Sequence, residues 1–71
     1  MEYEYITISK ISDSKSGKTG IWSVINKKHG DLLGIVSWFG SWRQYTFRPQ
    51  PDTIFSAGCL DDIESFIKGL R

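Results

Sequence analysis

Few side chains in this sequence could do covalent or metal chemistry, and each can be weighed against its neighbours. Cys59 is the single cysteine, so no disulfide can form within the chain, and a reducing cytoplasm is the expected setting. A thiol near a helix start can be activated by the positive dipole end. In Ser56-Ala57-Gly58-Cys59-Leu60, however, the cysteine takes an apolar helical position, where free Cys is usually a small buried hydrophobe. His29, the only histidine, stands next to Gly30 in an expected turn with no second His and no Cys nearby, so neither a zinc site nor a Cys-His dyad assembles locally. Asp61, Asp62 and Glu64 crowd a helix start as solvated charges that complement its dipole; a pair of them would hold a hard cation only weakly. Ser16-Gly17-Lys18-Thr19 looks like the end of a phosphate-binding loop. Yet Ser12 stands where the first glycine belongs, and Gly20-Ile21-Trp22 opens a strand instead of the required helix. The expectation is a protein that is not an enzyme and carries no metal or cofactor.

What remains is binding chemistry. Trp22, Trp38 and Trp42, flanked by Arg43 or Arg48, could form an exposed platform for base stacking, for cation-π contact or for a protein hot spot. The alternative is that these rings fill the core of a chain short of large apolar residues. Charge is also unevenly spread. Residues 10 to 48 hold Lys10, Lys15, Lys18, Lys27, Lys28, Arg43 and Arg48 against Asp13 and Asp31, whereas both flanking segments are acidic. That arrangement allows a basic sheet-and-loop side and an acidic helix side within a net charge of only +1. It is equally what surface lysines that merely keep a chain soluble would give.

Five elements must position these groups. Residues 3 to 11 alternate, with Ile6 and Ile8 on one face and Tyr3, Tyr5 and Thr7 on the other, which predicts a half-buried strand. Residues 12 to 20 lack large apolar side chains and are rich in Ser, Gly and Lys, as a flexible loop would be. Strand two is expected from Ile21 to Lys27, a turn at His29-Gly30-Asp31, strand three from Leu32 to Phe39, a tight turn at Gly40-Ser41, and strand four from Trp42 to Arg48. Pro49 and Pro51 are expected to stop the ladder, leaving a connector over 49–56. Leu60, Ile63, Phe66, Ile67 and Leu70 then recur at helical spacing over 57–70, with Ser56 as N-cap and Lys68 and Gly69 closing the end. By alternation Tyr45 and Phe47 form the core set of strand four, and Arg43 points away from Arg48.

The sum is an α+β fold, an antiparallel sheet of three to four strands in the order β-β-β-β-α, with one C-terminal helix packed on one face. At 71 residues the chain is expected to be a single small domain over 1–71, with little left over for an enclosed active site. One helix cannot cover both faces of the sheet, and strands two and three are apolar on both. The uncovered face is therefore a place for self-association, and Met1 to Ser9 could pair between chains as an exchanged edge. The acidic start and the short apolar runs predict neither a secretory signal nor a membrane contact.

From Trp38-Phe39-Gly40-Ser41-Trp42-Arg43-Gln44-Tyr45-Thr46-Phe47-Arg48-Pro49, through Pro51-Asp52-Thr53-Ile54-Phe55, to Cys59-Leu60-Asp61-Asp62-Ile63, the chain resembles a group of short uncharacterised proteins of phages and bacteria. They share a Trp-aromatic-Gly-x-Trp-Arg-x-Tyr-x-Phe core, a Pro-containing connector and a Cys-Leu-x-Asp-Ile helix. The likeness spans roughly residues 20 to 70; Ser41 stands where a proline is usual and Thr46 where a cysteine is. The resemblance implies a phage or mobile-element accessory protein, of the kind that acts by binding, and carries no assigned activity. A looser architectural likeness to some integrase N-terminal DNA-binding domains is weakened by the opposed directions of Arg43 and Arg48.

Together these readings favour a small binding module that contacts nucleic acid, with Lys15, Lys18, Lys27 and Lys28 on phosphates and Trp38, Trp42, Arg43 and Arg48 on bases or on a partner. Two alternatives stand beside it. One is an inhibitor of a host defence or regulatory protein, anchored by the tryptophans. The other is an oligomer that sequesters a small ligand between copies.

Overall fold

The computed structural model describes residues 3–15 and 17–70. Met1 and Glu2 of the acidic start, Ser16 of the loop and the terminal Arg71 lie outside the described residues. The elements are β1 (Ile6–Asp13), β2 (Gly20–Asn26), β3 (Leu32–Phe39), β4 (Gln44–Pro49) and α1 (Ala57–Gly69). The four strands form one antiparallel sheet in the order β1-β2-β3-β4, so the α+β architecture and the meander are as the patterning predicts.

The helix closes one face. Ile6 and Ile8 from β1, Val24 from β2, Leu33 and Val36 from β3, and Cys59, Ile63 and Phe66 from α1 are all buried together. Cys59 is thus a core residue. Phe66 is the helix residue around which the aromatic rings gather. Its ring meets Trp22 edge-on at 5.4 Å and Tyr3 at 6.5 Å, and Trp22 in turn meets Tyr45 at 5.6 Å. Tyr45 and Phe47 pack against this core, as alternation along β4 requires. The helix begins at Ser56, whose hydroxyl accepts from the Cys59 amide at 3.2 Å. Asp62 fastens α1 to the start of β1 by accepting from the Tyr5 amide at 3.0 Å.

Several local expectations are corrected. Leu60 is 51% exposed, because the buried stripe is centred one residue earlier, on Cys59, Ile63 and Phe66, and a one-residue step turns a helical side chain by about 100°. Gly69 is the last helical residue and not the cap. Leu70 caps with right-handed backbone, so the left-handed freedom of glycine is not used there. Strand β1 starts only at Ile6, so residues 3–5 precede the ladder, and Tyr3 packs with Phe66 against the same core as Ile6 and Ile8, not on the opposite face. The strand runs on to Asp13, with a bulge between Lys10 and Ser12 that leaves Ile11 exposed. A second irregularity sets Leu32 opposite Ile25 and leaves Leu33 as the extra residue, turned into the core where simple alternation would put it with Ile35. Pro49 does not stop the ladder: it pairs with Gly34 as the last residue of β4, a position open to it because β4 is an edge strand.

The opposite face of the sheet carries no helix. Register places Thr7 beside Ile25, Ser9 beside Ser23 and Ile35, and Ser37 beside Thr46 on it. Phe39 and Arg48 share that face, with the guanidinium carbon 5.8 Å from the ring centre.

Candidate nucleic-acid interface at one end of the sheet

A meander puts alternate connections at opposite ends. The β1–β2 loop and the β3–β4 hairpin therefore share one end, and the β2–β3 hairpin lies at the other, about 20 Å away along β2. This separates the residues that sequence reasoning grouped together. Lys15, Lys18, Trp38, Trp42 and Arg43 are brought to one end; Lys27 and Lys28 are carried to the other.

The β3–β4 hairpin is longer than the expected two-residue turn. Residues 40 to 43 all lie in the turn, with the Trp42 amide donating to the Phe39 carbonyl and the Arg43 amide to the Gly40 carbonyl, each at 3.2 Å. Arg43 closes the turn with φ of 53°, in the left-handed region that L side chains occupy at a cost of about 1 kcal/mol. Arg43 is therefore a turn residue, and the opposition between it and Arg48 expected from strand alternation does not apply. Arg48 alone lies on the open face.

The three tryptophans do not form one cluster. Trp22 is half-buried beneath α1. Trp38 is 41% exposed and packs edge-on against Tyr45 at 5.3 Å on the helix side. Trp42, at 66%, is the most exposed of the three and meets Phe39 edge-on at 5.0 Å. A groove of about 340 Å³ runs between Trp38, Trp42 and Arg43, floored by Tyr45 and the last turn of α1 at Ile67 and Leu70. On the other side of Trp38 a shallow depression of about 540 Å³ is lined by Ser14, Lys15, Lys18 and Thr19. Trp38 is the wall common to both. The Gly20 amide donates to the Tyr45 hydroxyl at 3.4 Å, which ties the loop end of β2 to β4 beneath it.

The electrostatics of the two ends differ. Segments 14–19 and 40–48 contain Lys15, Lys18, Arg43 and Arg48 and no Asp or Glu; nearby Asp13 is engaged by Lys10 at 2.7 Å. At the far end Lys27 and Lys28 lie with Glu4, Tyr5 and His29 around a second depression, and the Lys27 ammonium donates to the Tyr3 carbonyl. The Asn26 carboxamide oxygen accepts from the Lys28 and His29 amides at 2.9 and 3.0 Å, and Gly30 takes φ of 76°, so His29 is a turn residue. The Glu4 carboxylate, hydrogen-bonded to the Tyr5 phenol, holds that phenol above the usual tyrosine range. Among the described residues no group of three or more His, Cys, Asp or Glu is placed to hold a metal ion. No helix of the described chain is long and apolar enough to cross a membrane.

Fold and site define a small antiparallel meander, covered on one face by a C-terminal helix, with an aromatic and cationic groove at one end. The "Uncharacterized 9.3 kDa protein" of Acholeplasma phage L2 is 33% identical over 67 residues, which cover 94% of this chain and 85% of that protein. The chain belongs to the same family as that phage protein. No family model matches the chain, and no solved structure matches it.

Proposed function

We propose that the protein is a non-enzymatic nucleic-acid-binding module of phage type, working in the cytoplasm, whose contact surface is the sheet end bearing Trp38, Trp42, Arg43, Lys15 and Lys18. The observation that carries this reading is the juxtaposition of two exposed indoles with cationic segments free of carboxylates. Bases stack on sequence-tolerant aromatic faces while Lys and Arg follow the phosphates, the combination that single-stranded nucleic acid needs. The left-handed backbone of Arg43 supports it, since strain of this kind tends to persist where a turn must present particular side chains. Lys27 and Lys28 leave the proposed surface because they lie at the far end, and Arg48 leaves it because it lies on the open sheet face over Phe39.

The apolar floor of the groove, from Tyr45, Ile67 and Leu70, favours a second reading in which a protein partner inserts a side chain between the tryptophans. Salt separates the two. In a fluorescence titration with short single-stranded and duplex oligonucleotides, the first reading expects binding whose affinity falls steeply with salt, with a log-log slope of about −2 for three phosphate contacts on a single strand. Trp42→Ala is expected to weaken it about tenfold or more, the worth of one stacked base. Absence of binding at low salt would overturn the nucleic-acid reading and leave the protein-partner one, to be sought with Trp42→Ala as the negative control.

A further inference from the structure

The sheet face turned away from α1 has the composition of an interface and not of a solvated surface. Its apolar members are Ile21, Ile25, Leu32, Ile35 and Phe39, and the polar positions between them are Ser and Thr hydroxyls with Gln44. None of the residues that strand pairing places on this face is Lys, Asp or Glu. The single charge, Arg48, lies over the Phe39 ring. A water-facing antiparallel sheet is ordinarily polar on its outer side, and long charged side chains there also keep copies apart.

We infer that this face is the interface of a two-fold symmetric homodimer, in which the uncovered sheets of two copies of the chain pack against each other. A second copy is the occupant the face fits. A surface whose one charge is Arg48, on the edge strand β4, is close to complementary to itself and meets little like-charge repulsion across a two-fold axis, whereas nucleic acid or an ionic partner would find only that one group to pair with. The area is sufficient. Four strands about 4.8 Å apart and about seven residues long present about 440 Å² in plan, and more in accessible surface once the side chains are counted. Two such faces reach the roughly 1,000 Å² at which specific interfaces begin. In the dimer the sheets lie about 10 Å apart with Ile25 and Ile35 in the dry middle. The Trp38, Lys15 and Lys18 side of each copy stays at the rim and open, whereas Trp42, packed on Phe39 beside Thr46 and Arg48, stands at the margin of the interface.

The test is the solution mass by sedimentation equilibrium at hundred-micromolar concentration. Wild type is expected at twice 8.1 kDa. Ile35→Lys and, separately, Ser9→Glu are expected to sediment as folded monomers, with amide NMR spectra that retain the dispersion of the sheet. Ser9 is exposed and contributes nothing to the core, so its variant decides the question should Ile35→Lys fail to fold. Leu60→Lys, on the exposed side of α1, is expected to leave the dimer intact. A wild-type mass of one chain, or a dimer that survives both face variants, overturns the proposal.

Discussion

At the scale of single residues, Gly34 sets how closely β3 and β4 approach. A Cβ built there would lie 2.4 Å from the Arg48 carbonyl oxygen and 2.6 Å from the Phe47 ring. The carbonyl belongs to the paired edge strand and cannot swing aside, so relief requires β4 to move and the Phe47 ring to leave its place against the core. Gly34→Ala is therefore expected to cost about 2 kcal/mol or more, read as a lowered urea midpoint at unchanged slope. Gly58→Ala provides the contrast. Its Cβ would meet the ring of Tyr5, an exposed side chain that can rotate away, and the alanine gains about 1 kcal/mol of helix propensity. Near-neutrality is expected there. A large loss at Gly58 and none at Gly34 would mean that the β3–β4 approach is looser than the structure shows.

At the scale of elements, the helix depends on a hydroxyl. Ser56 has extended backbone and accepts from the Cys59 amide, so Ser56→Ala leaves that amide without its cap and is expected to cost about 1 kcal/mol. Ser56→Asp should retain most of it, since a carboxylate accepts the same bond and complements the dipole. Thermal unfolding followed at the helix band checks both. Much at this scale was legible from residue types. The cap was readable because Ser precedes the first apolar helical residue. The bounds of β3 were readable because turn-forming residues stand on both sides of an apolar run. What misled simple alternation were two bulges. An extra residue in one strand reverses the facing of everything beyond it, and neither Ile11 nor Leu33 differs in type from an ordinary strand residue. The start of β4 was misjudged for a related reason. Trp and Arg favour strands or tolerate them, and only the pairing of Phe39 with Gln44 forces both into the turn.

At the scale of the whole molecule, the meander converts a basic sequence segment into one cationic end. Lys15 and Lys18 share a depression with Trp38, while Lys27 and Lys28 lie about 20 Å away. The double substitution Lys15→Ala with Lys18→Ala is expected to weaken oligonucleotide binding several-fold and to reduce the single-strand salt slope by about 0.7 for each phosphate no longer neutralised. Lys27→Ala with Lys28→Ala is expected to change the affinity less than about twofold, since neither ammonium reaches the groove. Equal effects from the two pairs would show that binding follows net charge and not the groove.

By itself the sequence determined the α+β class, the order of the five elements, the N-cap and the face on which Ile6, Ile8, Tyr45 and Phe47 meet the helix. These follow from local preference and from the periods of strand and helix, which are written residue by residue. Only the tertiary structure decided which tryptophans are outside, which lysines stand together, and that Arg43 leaves the strand. Those facts depend on which turns share an end of the sheet, on where a bulge falls and on how much surface one helix can cover, and each of these is a property of strands paired in space.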